Sequence, residues 1–377
     1  MNVQAHRSAR FFARLFGSTL LALVGCTVAG SARAQCSGPN LVEQRFPLLG
    51  TEETRWRVCW AAHAKNGLVI TGAWFRKSPA SPFVRVLWDG RISEIFVPYH
   101  DGSPRYYDVT NFTFNLTSVS AADCPTALGG APISANVCKE VRDRGLAWKD
   151  YAQVRRGQEL ALWGALGAGN YNYVMEWIFR DDGMLIGRVG ATAVNLPTKP
   201  LMPHMHNPIW RLDVDLDGAS GDSVAQMTHA EAGLNANDNH MTVSTEQGFD
   251  WSLQGFSGLL VTDASLKNAK GHESGYILMP WNAHGASRHQ EAFTQHDMWV
   301  TRYKWSEMDA KNLPTYTTPP ESVENTDIVL WYKGSMHHHP RDEDGEFLGN
   351  TWSGEAHIMW TGFQLMPFNL FDRTPLR

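Results

Sequence analysis

The sequence predicts an all-β protein, most simply a large antiparallel β-sandwich. Short runs rich in Val, Ile, Trp, Tyr and Phe recur along the chain, and Asp-Gly, Asn-Gly and Gly-Ala turn signals bound them. Helical periodicity is weak everywhere except for a short piece near residues 306–311. The predicted strands are 67–74, 84–88, 92–99, 158–163, 171–179, 184–192, 209–214, 241–244, 298–304, 328–332 and 357–365.

The first 34 residues predict export from the cytoplasm. Three arginines and no acidic residue precede an apolar run over residues 15–29, and Ala32-Arg33-Ala34 forms a small-x-small cleavage site. We expect a signal peptide over residues 1–34, a single domain over residues 35–377, and a periplasmic or secreted protein. Cys26 lies in a lipoprotein cleavage box, so the alternative is a leader of residues 1–25 and a lipid anchor at Cys26. No stretch is long and apolar enough to predict a transmembrane segment.

The charge of the chain argues against a nucleic-acid partner. The whole chain carries −5, and residues 1–34 contain four arginines and no acidic residue, so the mature chain carries −9. Nucleic-acid binding needs clustered Lys and Arg, which this sequence lacks.

Four cysteines remain after the leader and predict two disulfides, as is usual for an exported protein. We pair Cys124 with Cys138 across a loop rich in Pro, Gly and Ala, and Cys36 with Cys59 by elimination.

Residues 171–189 predict a β-hairpin that turns at Asp182-Gly183. Because side chains alternate along a strand, Tyr171 and Tyr173 share one face with Met175 and Trp177. Tyr171 is therefore expected to point into an aromatic, apolar interior.

The pair His204 and His206 is a candidate metal site. On a strand both rings leave the same face, and imidazole suits Cu, Zn, Fe or Ni. Taken alone, His-x-His also arises by chance in a chain with 15 histidines. A third ligand could come from the triplet His337-His338-His339.

Seven short blocks, in order along the chain, resemble the copper amine oxidases, enzymes whose topaquinone cofactor is made from a tyrosine of the protein. Each block alone is a weak signal, whereas seven in family order are a strong one. The blocks are residues 95–99, 145–149, 170–173, 204–206 with 211–213, 299–301, 338–344 and 371–373.

The resemblance implies a cofactor and its metal. It makes Tyr171 the topaquinone precursor, with Asn170 before it in the family's Asn-Tyr-Asp/Glu-Tyr core. It makes His204, His206 and His338 the Cu²⁺ ligands, and His338 is chosen over its neighbours because the family pattern is His-x-Pro-Arg-x-Glu-Asp.

The resemblance also implies a reaction, in which a primary amine is oxidatively deaminated by O₂ to an aldehyde, with release of ammonia and hydrogen peroxide. Asp108 would be the catalytic base, Tyr106 the substrate gate, and Tyr99 a hydrogen-bond partner of the quinone. To act at neutral pH, Asp108 should be buried near the quinone, which would raise its pKa.

Three further expectations follow from the resemblance. The first is a peripheral Ca²⁺ site, to which an ordinary solvated acidic turn is the alternative. The second is a homodimer. The third is a catalytic β-sandwich without the smaller domains that commonly precede it. The calcium ligands would be Asp213, Asp215 and Asp327, with the carbonyls of Val214 and Ile328.

Two positions depart from the family pattern. Gly167 replaces the usual Thr, and Asn172 replaces the usual Asp or Glu beside Tyr171. These two departures support one alternative, in which the protein is a catalytically silent descendant of the family that binds copper or an amine without forming the quinone. A second alternative, a carbohydrate- or partner-binding β-sandwich, is suggested by 15 tryptophans, which also simply fill a large β core.

Overall fold

Two large antiparallel sheets face each other in the computed structural model, which describes residues 36–48, 52–113, 115–124, 129–228, 239–251, 258–281, 287–348 and 351–375. This arrangement confirms the predicted all-β sandwich. The predicted signal peptide and Cys26 lie outside the described residues.

The strands are β1 (Leu41–Pro47), β2 (Glu53–His63), β3 (Gly67–Arg76), β4 (Val84–Pro98), β5 (Arg105–Tyr107), β6 (Gly130–Pro132), β7 (Cys138–Asp150), β8 (Gln153–Ala168), β9 (Tyr171–Arg180), β10 (Leu185–Ala193), β11 (His204–Val214), β12 (Asp222–Met227), β13 (His240–Val243), β14 (Gln247–Phe249), β15 (Gly258–Lys267), β16 (Glu273–Trp281), β17 (Met298–Arg302), β18 (Ile328–Lys333), β19 (Met336–His338), β20 (Phe347–Leu348), β21 (Thr351–Trp352) and β22 (Met359–Phe368).

The first sheet has the order β1-β2-β3-β4-β11-β18-β17-β14, and β5 and β19 pair with β4 and β11 outside this path. The second sheet has the order β13-β12-β15-β16-β22-β10-β9-β8-β7-β6. Strands β20 and β21 pair only with each other among the described residues. The strand β11 therefore lies at the centre of one sheet, and the hairpin β9–β10 lies within the other.

Aromatic side chains hold the two sheets together. The Trp56 indole donates a hydrogen bond to the Arg180 carbonyl at 2.7 Å, and its ring lies 5.2 Å from that of Phe179. The Trp177 indole donates to the Leu68 carbonyl at 3.1 Å. Because the indole N–H groups of Trp56 and Trp177 both find an acceptor in the opposite sheet, burying these two rings leaves neither donor unpaired.

The predicted hairpin is confirmed, whereas the break predicted between the strands 84–88 and 92–99 is wrong. Residues 84–98 form one continuous strand, β4, in place of the two predicted strands. A Cβ added at Gly90 would come within 2.7 Å of the Trp177 ring. Glycine is thus needed here because the opposite sheet approaches closely, and the Asp-Gly pair does not mark a turn at this position.

The described helices are short. They are α1 (Asp108–Asn111), α2 (Leu313–Tyr316) and 3₁₀ turns at Gly38–Asn40, Ala292–Thr294 and Ala310–Asn312. The helical piece expected near residues 306–311 begins later than predicted. Asp309 accepts a hydrogen bond from the Lys311 amide at 2.9 Å, and this cap defines where the turn begins.

Both predicted disulfides are present. Cys36 bonds to Cys59 with a Cα–Cα distance of 5.8 Å, and Cys124 bonds to Cys138 with a Cα–Cα distance of 5.6 Å. Across the described ranges, no helix is long and apolar enough to cross a membrane.

Candidate active site

Three buried histidines come together on two neighbouring strands. In the antiparallel pair β11–β19, His204 lies opposite His338, and His206 lies two residues further along β11 on the same face. Each histidine offers one ring nitrogen within 4.8 Å of the others. The structure thus places His204, His206 and His338 as a single cluster, although 132 residues separate His206 from His338 in the sequence.

Tyr171 reaches this cluster from the opposite sheet, where it is the first residue of β9. Its hydroxyl lies 2.6 Å from His338 Nδ1 and is hydrogen-bonded to His204 Nε2. Its ring centroid lies 4.3 Å from that of His206. The phenol oxygen therefore lies where the imidazoles converge.

The outward nitrogen of each imidazole has a proton acceptor beside it. His204 Nδ1 lies 3.0 Å from the Met202 carbonyl, His338 Nε2 lies 3.1 Å from an Asp344 carboxylate oxygen, and His206 Nδ1 lies 2.8 Å from the Tyr173 hydroxyl. If each outward nitrogen carries the proton, the three inward nitrogens present lone pairs toward Tyr171.

The inward nitrogens fit a metal ion. His206 Nε2 is buried and has no hydrogen-bond partner among the described residues, which would be costly without a ligand. Burial lowers the pKa of His204 to about 4, lowers that of His206 well below its ordinary value, and lowers that of His338. All three rings are therefore neutral at neutral pH, which is the form that binds Cu²⁺.

Asp108 is the first residue of α1, and a buried carboxylate holds this helix in place. Glu94 on β4 accepts hydrogen bonds from the Val109 amide at 2.8 Å and from the Thr110 hydroxyl at 2.6 Å. These bonds satisfy donors at the N-terminus of α1 and position the Asp108 side chain.

The Asp108 carboxylate is hydrogen-bonded within the protein interior. The Tyr173 hydroxyl donates to Asp108 Oδ2 at 2.7 Å. Burial raises the pKa of Asp108 to about 7, the hydrogen bond from Tyr173 opposes this rise, and the nearby Glu94 charge adds to it. A carboxylate with such a pKa can accept a proton at neutral pH.

A cavity of about 260 Å³ joins Asp108 to Tyr171. The other sequence-predicted site residues line it as well, namely Tyr99, Tyr106 and Asn170. The Tyr106 ring meets the Tyr99 ring edge-on at a centroid distance of 6.2 Å. The structure therefore gathers the predicted base, gate and precursor around one space.

Tyr99 lies against the histidine cluster. Its ring stacks on His204 with a centroid distance of 4.4 Å and an interplanar angle of 13°. The Tyr171 hydroxyl is directed at His204 and His338, and in this unmodified orientation of Tyr171 no hydrogen bond joins it to Tyr99 within the described part of the chain.

The turn before Tyr171 is held by Asn170 and Gly169. The Asn170 side-chain amide donates to the Val194 carbonyl at 2.6 Å, and Gly169 has φ +63°, a left-handed conformation that favours glycine. This turn connects β8 to β9 and places Tyr171 at the first buried position of β9.

The two departures from the family pattern are cross-strand partners. Gly167 on β8 lies directly opposite Asn172 on β9. Gly167 is exposed and Asn172 is half-buried, and both lie on the face of the sheet opposite to Tyr171. The Asn172 side-chain amide donates to the Leu166 carbonyl at 3.1 Å.

The predicted calcium ligands cluster near the far end of β11. Asp215 forms an ion pair with Arg85 at 3.0 Å, and Asp213 Oδ2 is buried without a hydrogen-bond partner in the parts of the chain described. Burial and then the charges of Asp215, Asp263 and Asp327 raise the pKa of the fully buried Asp222 to about 9. Asp222 adds a further acidic group that sequence reasoning did not assign to this cluster.

Sequence reasoning also missed the supporting residues Tyr173, Asp344 and Glu94. Strand alternation puts Tyr173 on the same face as Tyr171, but no sequence signal indicates that its hydroxyl joins Asp108 to His206. Asp344 lies within the block that contains His338, so its position beside that ring could have been proposed from the family pattern.

The comparisons with known proteins agree with this geometry. The sequence profile of the family described as "Copper amine oxidase, enzyme domain" matches residues 132–377. "Primary amine oxidase 2" of Arabidopsis thaliana is 26% identical over 85% of this chain. "Primary amine oxidase" of Lens culinaris is 24% identical over 88% of this chain.

The fold is also similar to that of solved structures. A copper-containing benzylamine oxidase from Hansenula polymorpha aligns with a TM-score of 0.66 and 18% identity, covering 93% of this chain and 65% of that one. The present chain spans 57% and 60% of the lengths of the Arabidopsis and Lens proteins.

Proposed function

The chain belongs to the copper amine oxidase family, and from this membership we propose that it oxidatively deaminates primary amines. O₂ would be the electron acceptor, and an aldehyde, ammonia and hydrogen peroxide would be the products. Because the chain covers less than two thirds of its relatives' lengths, the activity is proposed for the domain described above.

One observation carries the proposal: the Tyr171 phenol oxygen meets the inward nitrogens of the histidine cluster, at 2.6 Å from His338 Nδ1. His204, His206 and His338 would hold Cu²⁺ there, and Tyr171 would be the residue converted to topaquinone. When formed, topaquinone supplies an electrophilic carbonyl and an electron sink for amine oxidation, and copper supports both its formation and the reaction with O₂.

Asp108 would accept the α-proton of the bound amine. Its pKa of about 7 leaves it about half ionised at neutral pH, which suits a base that must both take and return a proton. The cavity shared with Tyr171 gives a substrate room to reach this carboxylate. The buried setting also excludes bulk water from the proton transfer.

The tyrosines and Asn170 would orient the reacting groups. Tyr106 lies at the cavity wall, where it can admit or block an amine, and Tyr99 lies between that wall and His204. Asn170, bonded to the Val194 carbonyl, holds the backbone from which Tyr171 projects.

The departures at Gly167 and Asn172 are compatible with this function. The Asn172 side chain leaves the face of the sheet that points away from the histidines, and Gly167, directly opposite it, adds no side chain, so neither residue contacts the space around the phenol. This placement favours an active enzyme over the catalytically silent alternative.

The test is to load purified apoprotein with Cu²⁺ in air. We expect a visible quinone band that shifts on addition of phenylhydrazine, and a gain of two oxygens with loss of two hydrogens in the Tyr171 peptide by mass spectrometry. The matched control, Tyr171→Phe, removes one hydroxyl and should bind copper without developing the band. If Tyr171 remains an unmodified tyrosine after loading, the proposed oxidase activity is wrong.

Three further proposals concern the setting of this enzyme. A Ca²⁺ ion would bind beside Asp213, Asp215 and Asp327 with the carbonyls of Val214 and Ile328, and the buried, repelling carboxylates in that region support it. Export to the periplasm or beyond, with or without a lipid at Cys26, is supported by the leader sequence and the two disulfides. A homodimer is expected from the family and can be tested by analytical ultracentrifugation.

A further inference from the structure

The strands that carry the histidine cluster present a second set of donors on their other face. Met205 lies directly opposite His337 in the β11–β19 pair, between the inward-facing positions 204, 206 and 338. The His339 ring lies 4.4 Å from the His337 ring, with an interplanar angle of 63°. His337 and His339 are exposed, and Met205 is half-buried. We name Met205, His337 and His339 the outer donor set.

A cleft connects two members of this outer donor set, Met205 and His337, to the buried cluster. The cleft has a volume of about 520 Å³, and its walls include Met205 and His337. His204, whose Nε2 faces Tyr171, lines the same cleft, together with the exposed His100. The His204 ring is therefore in contact with the space that Met205 and His337 line, and His339 adjoins that space through its contact with the His337 ring.

The chemistry of the outer donor set is that of a copper site. Imidazole binds copper in both common oxidation states, and a thioether favours Cu⁺. A two-stranded pair with a direct cross-strand register brings opposite Cβ atoms to about 4.5–5.5 Å, so Met205 and His337 can contact one ion. Calcium and magnesium prefer oxygen ligands and would bind poorly to these nitrogen and sulfur donors.

We propose that Met205, His337 and His339 form an entry site that captures one copper ion and passes it through the cleft to His204, His206 and His338. This inference rests on the proposed copper centre. The transfer is a ligand exchange in which neutral imidazole and thioether donors are replaced by three neutral imidazoles, so no electron or proton needs to move. The ion finally resides in the inner site because that site is buried and offers three converging nitrogens.

The test measures copper binding directly on the apoprotein. We titrate it with Cu²⁺ alone and count bound ions by electron paramagnetic resonance and elemental analysis. Wild-type protein should bind two ions of different affinity. The double variant His337→Ala/His339→Ala should lose the weaker one, and His206→Ala should lose the stronger one.

The second measurement is the rate at which the inner site fills. At micromolar copper the double variant should load at least about tenfold more slowly, because an ion held nearby acts at an effective concentration in the millimolar range. At saturating copper the final occupancy of the inner site should equal that of wild type.

Because His337 and His339 flank His338, replacing them could disturb the inner copper ligand itself. A variant on the other strand is therefore also needed. Met205→Leu keeps the volume of the side chain and should slow loading from Cu⁺ more than from Cu²⁺. The control is His63→Ala/His272→Ala, which removes two exposed histidines that do not line the cleft.

Wild-type binding of a single ion, with unchanged loading in the double variant, would overturn the entry site even if the quinone forms. Conversely, two bound ions with an unmodified Tyr171 would overturn the proposed activity and leave the entry site standing.

Discussion

We expect Tyr173→Phe to move the pH dependence of amine oxidation toward alkaline pH. The Tyr173 hydroxyl donates to Asp108 at 2.7 Å and thereby stabilises the ionised carboxylate, opposing the effect of burial. Removing this donor favours the neutral acid, so Asp108 must reach a higher pH before it can accept the substrate proton.

The size of the shift follows from the bond that is lost. A hydrogen bond to a charged group contributes about 1.5–3 kcal/mol, which corresponds to about 1–2 pKa units. Starting from a pKa of about 7, the midpoint should move to about 8–9. At neutral pH the rate of proton abstraction should then fall by roughly 5- to 50-fold, and it should recover at alkaline pH.

The assay is anaerobic stopped-flow bleaching of the quinone band by a saturating amine, repeated from mildly acidic to alkaline pH. Copper content is measured in parallel, because the Tyr173 hydroxyl also lies 2.8 Å from His206 Nδ1. The control is Tyr276→Phe, which removes another buried hydroxyl, one that donates to the Gly183 carbonyl and does not contact Asp108. An unchanged or more acidic midpoint at full copper content would show that the Tyr173 hydroxyl does not lower the pKa of the catalytic base Asp108.

Three other outcomes can be measured. Asp344→Asn should weaken copper binding by about 10- to 100-fold in a competition titration, because the carboxylate lies 3.1 Å from His338 Nε2 and orients that ring. Without added Ca²⁺, the melting temperature should fall as pH rises from about 4 toward 9. In this pH range Asp222 keeps its proton in the folded protein, whereas in the unfolded chain it has already released it. Added Ca²⁺ should remove this pH dependence of the melting temperature. The variant Cys124→Ser/Cys138→Ser should lose about 3 kcal/mol of unfolding free energy in urea titrations, as expected for a loop closed over 14 residues.

Much of the fold was predictable because strand alternation and turn signals are local. The hairpin at Asp182-Gly183 and the inward face of Tyr171 follow from periodicity alone. The break predicted between the strands 84–88 and 92–99 was wrong, because the close approach of the Trp177 ring of the opposite sheet requires glycine at position 90, a contact that the local sequence does not encode.

By itself, the sequence determined the class of fold, the disulfide pairs and which residue types stand in each motif. The tertiary structure alone decided how they meet. Packing β9 against β11 and β19 brings a tyrosine to three imidazoles, and folding α1 onto β4 lets Tyr173 join Asp108 to His206. It also placed Gly167 opposite Asn172, away from Tyr171. A local pattern specifies the face from which a side chain leaves, whereas its partner depends on how the whole core packs.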